Sequence, residues 1–412
     1  MKIQKKDKSN KLSHKHSLII SKLKKSILKI NFEPIIIELP PKSVLVGGYL
    51  RDLILDKLSP FPDIDIIIPN NALSVAKSLA EKFSGRFLVL DNDRNIARII
   101  FKEFIIDIAN RTHDLLADDL KARDFTINSI SYSFDSNKII DPVNGIYDLE
   151  NSLLRCFNYK NLLDDPLRML RCFRFVSELN FHIEPNLFQF IKENKSKLSL
   201  VSVERIQTEL KKIVSGKQAC EVTISLNEIK FFDWIQTYQK NSLEFLLSVN
   251  YENYSSEEVE KYMPIFYLRE LLKKSVVKEF KFSKIDELNI NNLRTWSNLL
   301  KRKSIEHFNE IERFNLHKEL EIILPAFIVY LPHDCHNYWL NRWRDKNDRL
   351  FHPQNFINGD TLKTLVGIDD GPLLGKLLSY LSREYAYERL NNFDEAIYEA
   401  KRWFQQNAPK CD

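Results

Sequence analysis

The sequence lacks several features that mark secreted and membrane proteins. Its five cysteines, at positions 156, 172, 220, 335 and 411, are odd in number and form no C-x-x-C pair, which argues for reduced thiols. No apolar run approaches the length of a membrane span. The lysine-rich N-terminus has no continuous apolar core before a small-residue cleavage site, so no secretory signal is indicated. We therefore expect a cytoplasmic protein.

Charge is unevenly distributed over the 412 residues, whose net charge is +5. Residues 1–30 hold ten lysines and one acid, Asp7, and therefore contribute +9, which leaves −4 for the rest. This basic N-terminal arm could contact a nucleic-acid backbone, or it could be a solvated tail. The sequence leaves both interpretations open.

Hydrophobic periodicity divides the chain into a mixed part and a helical part. Short apolar runs predict strands, and amphipathic patterns predict helices. The predicted strands are 44–46, 64–68, 86–90, 97–101 and 104–108, and the predicted helices are 17–29, 48–57, 72–83 and 125–134. After about residue 160 helical patterns dominate. We expect an α/β fold, a mixed sheet backed by helices, followed by an all-α remainder.

Residues 44–68, VLVGGYLRDLILDKLSPFPDIDIII, are the most informative segment. Gly47 and Gly48 follow an apolar run, and paired glycines let backbone N–H groups approach a phosphate closely. Asp63 and Asp65 open a second run, and residues at i and i+2 of a strand face the same side. A lone Gly-Gly is usually a turn and a lone D-x-D a solvated strand end. Their adjacency favours a nucleotidyl-transfer site.

Asp63 and Asp65 are the predicted catalytic residues and metal ligands. In nucleotidyl transfer a 3′-hydroxyl attacks the α-phosphorus of a nucleoside triphosphate. One metal ion activates the hydroxyl and a second stabilises the leaving pyrophosphate. Mg²⁺ suits this site because it prefers few carboxylates plus substrate phosphates. Asp107, on a neighbouring predicted strand, is either a third ligand or an ordinary strand-end acid.

Several motifs, in the same order, resemble one family. They are GGYLRD with DIDIII, RDFTIN at 123–128, DDPLRMLR at 164–171, ERI with EL at 204–210, and NGD and GPLLG after 357. The chain is similar to the class II tRNA nucleotidyltransferase and bacterial poly(A) polymerase family, which belongs to the polymerase-β-like nucleotidyltransferases. The match is close over 44–215 and 355–400, with little recognisable between 220 and 350.

The resemblance implies how the triphosphate and the ribose are bound. Gly47, Gly48 and Arg51 would bind the triphosphate, with Asp52 either orienting Arg51 or standing as an exposed first-turn acid. The residues matching RDFTIN would contact the ribose of the incoming nucleotide, and these are Arg123, Asp124 and Asn128. Asp124 could equally cap a helix beginning near Thr126.

The resemblance also implies a base-reading pair, Asp165 and Arg168. With Arg171 they are spaced i, i+3 and i+6 on one predicted helix, where Pro166 suits the first position and Asp165 the N-cap. A carboxylate beside a guanidinium matches the base edge of cytosine or adenine without a template. Arg171 would bind phosphate or brace the helix.

A second helix carries the last predicted group, Glu204, Arg205 and Glu209. Their spacing also suits a surface ion-pair lattice, and we expect them to support the base-reading helix structurally. The domain organisation expected from the resemblance is a basic arm at 1–30, a catalytic head at 31–157, a base-recognition neck at 158–217, a helical body at 218–350 and a tRNA-binding tail at 351–412.

The resemblance implies template-independent addition of C and/or A nucleotides to the tRNA 3′ end from CTP and ATP, with Mg²⁺. The chain could add the whole CCA, only CC, or only the final A. Two alternatives stay open. One is a poly(A) polymerase acting on general RNA 3′ ends, and the other is a catalytically inactive RNA-binding relative.

Overall fold

The computed structural model describes residues 2–235 and 242–407, and it divides into two compact units between Val201 and Ser202. The division lies within the segment predicted as the neck, 158–217. Four cysteines, 156, 172, 220 and 335, carry free thiols, whereas Cys411 lies outside the described residues. No described helix is long and apolar enough to cross a membrane.

The first unit contains all the strands of the described chain. They are β1 (Val44–Val46), β2 (Asp63–Ile68), β3 (Arg86–Asp91), β4 (Ile96–Ile100), β5 (Ile105–Asn110), β6 (Ser131–Ser133), β7 (Lys138–Ile140), β8 (Leu153–Leu154) and β9 (His182–Ile183). The helices of this unit are α1 (Lys2–Lys29), α2 (Glu33–Ile37), α3 (Gly48–Ile54), α4 (Ala72–Lys82), α5 (Leu116–Lys121), α6 (Gly145–Glu150), α7 (Lys160–Asp164), α8 (Leu167–Leu179) and α9 (Pro185–Asn194). Short 3₁₀ turns span Thr126–Asn128 and Lys195–Leu200.

Seven strands form one mixed sheet in the order β3-β4-β5-β2-β1-β6-β7. Only β2 and β5 run parallel, and their register places Asp65 beside Asp107. Ile64 and Ile66 of β2 are almost fully buried. Because side chains alternate along a strand, Asp63 and Asp65 both face the opposite side from these isoleucines. The strand therefore anchors one face in the core and presents two carboxylates on the other.

The five predicted strands are confirmed to within one or two residues at each end. The predicted helix over 125–134 is wrong, because it is a single 3₁₀ turn followed by β6. The reason is tertiary pairing, since β6 pairs with β1 and places Ser131 opposite Val46 and Tyr132 opposite Leu45. A sequence with helical periodicity here completes the sheet instead.

The second unit consists of helices throughout its described residues, so the predicted fold class is confirmed. The helices are α10 (Val203–Val214), α11 (Ala219–Glu228), α12 (Ser242–Ser248), α13 (Ser256–Leu271), α14 (Lys274–Glu279), α15 (Lys284–Leu300), α16 (Glu310–Leu320), α17 (Leu324–Ile328), α18 (His333–Arg344), α19 (Gly359–Val366), α20 (Pro372–Ala386) and α21 (Phe393–Asn407), with 3₁₀ turns at Ile305–His307 and Glu321–Ile323. Residues of α19, α20 and α21 share a separate apolar cluster that includes Leu362, Leu377 and Ala396.

Candidate active site

A cavity of about 510 Å³ in the first unit gathers most of the predicted site residues. Ten of them line it, namely Gly47, Gly48, Arg51, Asp52, Asp63, Asp65, Arg123, Asp124, Asn128 and Arg171. The volume lies within the range typical of small-molecule sites. The remaining lining residues are Tyr49, Leu58, Ser59, Phe61, Pro62, Arg174 and Phe175. The fold therefore brings residues of α3, β2 and the 123–128 segment, which are distant in the sequence, to one cavity.

Gly47 is the position where the backbone comes closest to the carboxylate pair. Its φ is +78°, a conformation that side-chain-bearing residues rarely adopt. A Cβ atom placed there would lie 2.6 Å from Oδ2 of Asp65 and 3.3 Å from Nη1 of Arg123. Glycine is therefore required on two grounds, backbone conformation and space. The turn between β1 and α3 thus lies directly against the second carboxylate of β2.

Asp65 lies in an environment that disfavours the charged form of its carboxylate. Burial, together with the nearby charges of Asp107 and Asp63, raises its pKa to about 6, against the opposing effects of Arg123 and a hydrogen bond from the Gly48 backbone. The negative charge of these neighbouring carboxylates favours the binding of a cation beside Asp65. Asp63, with 58% of its side chain exposed, stands two residues nearer the solvent end of β2.

The donor chemistry of this pair fits a divalent cation that keeps water and substrate oxygens in its coordination shell. Carboxylate oxygens are hard ligands, and the cavity leaves room for phosphate oxygens beside them. Over residues 2–235 and 242–407, no group of three or more His, Cys, Asp or Glu side chains is placed to hold a metal ion. The pair would therefore depend on the substrate to complete the coordination.

Asp107 is held by an arginine on the adjacent strand. Both of its oxygens accept hydrogen bonds of 2.8 Å from Nε and Nη2 of Arg98. The same Nη2 lies 3.6 Å from Oδ2 of Asp63. The hydrogen bonds to Asp107 raise the pKa of the Arg98 guanidinium, so this group remains a permanent positive charge. The third carboxylate is thus engaged by the protein itself, which favours the interpretation that it is not a metal ligand.

Arg51 is fixed on three sides. Its Nε donates to Oδ1 of Asp52 at 2.8 Å, and its Nη1 donates to Oδ1 of Asn128 at 3.0 Å. Its guanidinium carbon lies 5.1 Å from the ring centroid of Phe175. The hydrogen bond that Arg51 donates to Asp52 is the contact that an orienting role of Asp52 requires.

Asp124 forms the centre of a second polar network. Its Oδ2 accepts hydrogen bonds from Arg171 at 2.8 and 2.9 Å, and its Oδ1 accepts from Asn128 Nδ2 and from the Phe125 backbone, each at 2.9 Å. Burial would raise its pKa, but these donors and the nearby Arg168 lower it to about 2. Asp124 does not cap the following turn, because Phe125 occupies that position without a side-chain bond.

Of the three residues predicted on this helix, Arg171 lines the cavity, whereas the predicted base-reading pair does not. Asp165 and Arg168 are not among the described residues that line the cavity. Arg168 Nη1 instead donates to the backbone oxygens of Ala122 and Asn161 at 3.0 and 3.1 Å. The helix begins one residue later than predicted, so Pro166 is its N-cap, and Oδ1 of Asp165 accepts the Leu167 N–H at 3.3 Å. Their role in base recognition stays a prediction.

The third predicted group lies on α10, in the second unit. Glu204 pairs with Lys281 at 2.5 Å, and both side chains are more than half exposed. Glu209 is buried, whereas Arg205 follows Glu204 on the first turn. Glu204 thus forms a surface ion pair, and Glu209 is a buried carboxylate. Both observations are compatible with the structural role expected of this group.

Two further cavity residues that the motifs did not predict, Arg174 and Phe175, lie beside the predicted arginines. The buried Phe175 ring has three guanidinium groups around it, with Arg174 at 4.5 Å, Arg51 at 5.1 Å and Arg171 at 5.8 Å. Such contacts partly offset repulsion between like charges. The signal was present, because extending the i+3 series from Asp165 by one further step reaches Arg174.

Residues 43–155 match the family described as the poly A polymerase head domain, and residues 180–240 match the probable RNA and SrmB-binding site of polymerase A. The first match contains the glycine turn, Asp63, Asp65 and the 123–128 segment.

Relatives with similar sequence or fold have names that refer to adding nucleotides or to tRNA. A CC-adding tRNA nucleotidyltransferase from Synechocystis sp. is 29% identical over 87% of this chain and 93% of its own length. An A-adding tRNA nucleotidyltransferase from Deinococcus radiodurans is 32% identical over 47% of this chain and 45% of its own. The structure of the Thermotoga maritima CCA-adding enzyme complexed with tRNA has a TM-score of 0.66 at 23% identity, covering 88% of this chain and 91% of that one.

Proposed function

We propose that this chain, which belongs to the tRNA nucleotidyltransferase and bacterial poly(A) polymerase family, adds C and/or A nucleotides to the 3′ end of tRNA without a template. The observation that carries the proposal is the Asp63–Asp65 pair beside the Gly47 turn, in a cavity with four arginines. A carboxylate pair next to concentrated positive charge is what transfer of a nucleotide from a triphosphate requires.

Asp63 and Asp65 would hold Mg²⁺, which when bound activates the attacking 3′-hydroxyl and stabilises the leaving pyrophosphate. Asp107 supports this pair indirectly, because Arg98 holds it and lies close to Asp63. Gly47 leaves room for the substrate by omitting a side chain against Asp65.

The arginines around Phe175 would bind the triphosphate. Arg51, Arg171 and Arg174 present guanidinium groups from two helices, α3 and α8, to the same cavity. Because Asp52 and Asp124 already orient two of them, little side-chain entropy remains to be lost when phosphate binds. Arg123 and Asn128 complete the site next to the expected ribose position, and Asp165 with Arg168 would read the base.

The remaining chain would bind the tRNA. A relative that covers most of this chain is named as a tRNA nucleotidyltransferase, and a similar structure is that of a CCA-adding enzyme complexed with tRNA. We propose the organisation given above, with arm 1–30, head 31–157, neck 158–217, body 218–350 and tail 351–412, and a cytoplasmic location. A poly(A) polymerase is the alternative that the head-domain match leaves open, but no relative described here carries that activity in its name. An inactive relative is disfavoured because both carboxylates and their cavity are retained.

The test uses three labelled tRNA transcripts that end before CCA, after the first C, and after CC. Each is incubated with Mg²⁺ and CTP, ATP or both, and the products are resolved to single nucleotides. Completion of all three ends identifies a CCA-adding enzyme, and addition of C alone to the first two identifies a CC-adding one. Addition of A only to the transcript ending in CC identifies an A-adding enzyme. Long A tracts would favour the poly(A) polymerase, and no extension would contradict the proposal.

A further inference from the structure

The cavity includes an apolar loop that none of these roles explains. Residues 55–62 connect α3 to β2, and Phe61 and Pro62, in the uncharged part 58–62, line the cavity beside Asp63. Phe61 is 44% exposed, so a large apolar ring faces solvent next to a carboxylate pair. Other apolar side chains of this protein are more exposed, but Phe61 is an exposed phenyl ring that lines the cavity, where its face is accessible to a bound ligand.

The backbone of this loop is fixed before any ligand binds. Ser59 Oγ donates to the Phe61 backbone oxygen at 3.0 Å and accepts the Phe61 N–H at 3.1 Å. The oxygen of Pro62 accepts the Ile105 N–H at 2.9 Å, so the pairing between β2 and β5 continues past Asp63. Proline also restricts the residue before it to extended conformations. The position from which the ring projects is therefore set by the loop itself.

The order of groups along β2 assigns a side to the ring. Asp65 lies against Gly47 and Arg123, Asp63 is two residues closer to the loop, and Phe61 is two residues further in the same direction. At about 3.3 Å per residue, the carboxylate pair separates the ring from the glycine turn. In-line displacement requires the attacking hydroxyl and the leaving pyrophosphate on opposite sides of the phosphorus. If the triphosphate lies at the Gly47 end, the RNA end enters from the Phe61 side.

We propose that Phe61 is the platform on which the last base of the tRNA acceptor end stacks before its 3′-hydroxyl attacks. The inference rests on the proposed function and adds a binding subsite for the RNA primer. A phenyl ring suits this task because every base has a π-face, so stacking tolerates any sequence. That tolerance is needed when the terminal base changes as the end grows. Residues 58–62 carry no arginine or lysine, and Lys57 of the same loop is not among the described residues that line the cavity, which fits a base beside Phe61 better than a phosphate.

The first experiment compares Phe61→Ala with Phe61→Trp and with a matched control, Phe157→Ala. Phe157 is also in the first unit and 54% exposed, but it is not among the described residues that line the cavity. Phe61→Ala should raise KM for tRNA about tenfold, the loss expected for one stacked base, while the Kd for CTP and ATP stays unchanged. Phe61→Trp and Phe157→Ala should keep the wild-type KM. Equal tRNA KM values for Phe61→Ala and Phe157→Ala would overturn the proposal, as would weakened nucleotide binding with unchanged tRNA KM.

The second experiment reads stacking without requiring catalysis. A tRNA ending before CCA carries 2-aminopurine as its last base, and its fluorescence is followed as protein is added. The wild-type protein and Phe61→Trp should quench it, and Phe61→Ala should not. Quenching by the wild type without extension of any tRNA end would contradict the proposed function while supporting the platform. Extension without quenching would contradict the platform alone.

Discussion

Both units bury ionisable groups, and in the first unit such groups, among them Asp124, line the cavity of about 510 Å³. In the second unit the Glu270 carboxylate is 1% exposed and accepts hydrogen bonds of 2.5 Å from Tyr330 Oη and from Arg269 Nη1. Arg269 in turn donates to Ser297 Oγ at 3.0 Å. The Glu270 carboxylate is thus hydrogen-bonded within the packed interior, and none of these residues is among those that line the cavities of the described chain. Burial of charge by itself therefore does not mark a site.

The difference lies in how completely each carboxylate is neutralised. Asp65 is partly buried with two carboxylates nearby, and desolvation together with these charges raises its pKa to about 6. Glu270 has an arginine and a tyrosine hydroxyl at hydrogen-bonding distance. A carboxylate that faces a cavity beside other carboxylates leaves room for a cation from solution, whereas one that is hydrogen-bonded in the packed interior has a structural role. This contrast can be tested in both units.

The largest effect is expected for Asp65→Asn. Removing a metal ligand should lower kcat by at least about a thousandfold, corresponding to several kcal/mol of transition-state stabilisation. The same change removes a buried charge from a cluster of like charges, so Tm should stay constant or rise. Single-turnover extension and thermal unfolding measure the two quantities. A large fall in Tm would show that Asp65 supports the fold as Glu270 does.

For Glu270→Gln we expect a loss of stability without a loss of nucleotide binding. Breaking a buried ion pair leaves Arg269 uncompensated and should cost about 3 kcal/mol of stability, with a clearly lower Tm. The affinity for CTP and ATP, measured by equilibrium binding, should not change. Glu260→Gln is the control, because this exposed residue lies on the same helix, α13. Loss of nucleotide binding at full stability would contradict the assignment of Glu270 to the interior.

The two units should respond to pH with opposite signs. Burial lowers the pKa of His317 from 6.5 to about 3, so the unfolded chain binds a proton that the folded chain refuses, and stability falls as pH drops below 6.5. Asp65 binds its proton more tightly when folded, so its contribution falls as pH rises from 3.8 to about 6. Denaturant unfolding between pH 4.5 and 7 should show a reduced acid loss in His317→Gln and an increased one in Asp65→Asn. An unchanged acid slope in His317→Gln would contradict this account.

The smallest effect is expected for Glu204→Gln on α10. Its ion pair with Lys281 is exposed on both sides, and hydrogen bonding to Lys281 lowers the Glu204 pKa without any burial. Exposed pairs of this kind contribute little. Tm and the tRNA extension rate should both stay within experimental error of wild type. A marked loss of extension at unchanged Tm would give this motif a role in the reaction.

The sequence allowed prediction of elements whose pattern is local. Apolar runs located β1 to β5, and the spacing of Asp63 and Asp65 predicted that both face one side, which β2 confirms. Interactions between distant segments were not predictable in the same way. The 125–134 segment joins the sheet because β1 pairs with β6, and Arg168 turns to the Ala122 backbone although it shares a helix with Arg171. The Phe175 ring gathers arginines from two helices, which no single-helix pattern contains.

The assignment of the metal site to Asp63 and Asp65 is tested by comparing Asp63→Asn with Asp107→Asn in single-turnover extension of a tRNA that lacks its terminal nucleotides. Both residues are carboxylates of neighbouring strands near Arg98, so each variant is the control for the other. We expect a loss of at least about a thousandfold for Asp63→Asn, which removes a metal ligand, and of less than about tenfold for Asp107→Asn, which removes only a partner of Arg98. Undiminished extension by Asp63→Asn would contradict the account, and equal losses in both variants would contradict the assignment of the metal site to two carboxylates.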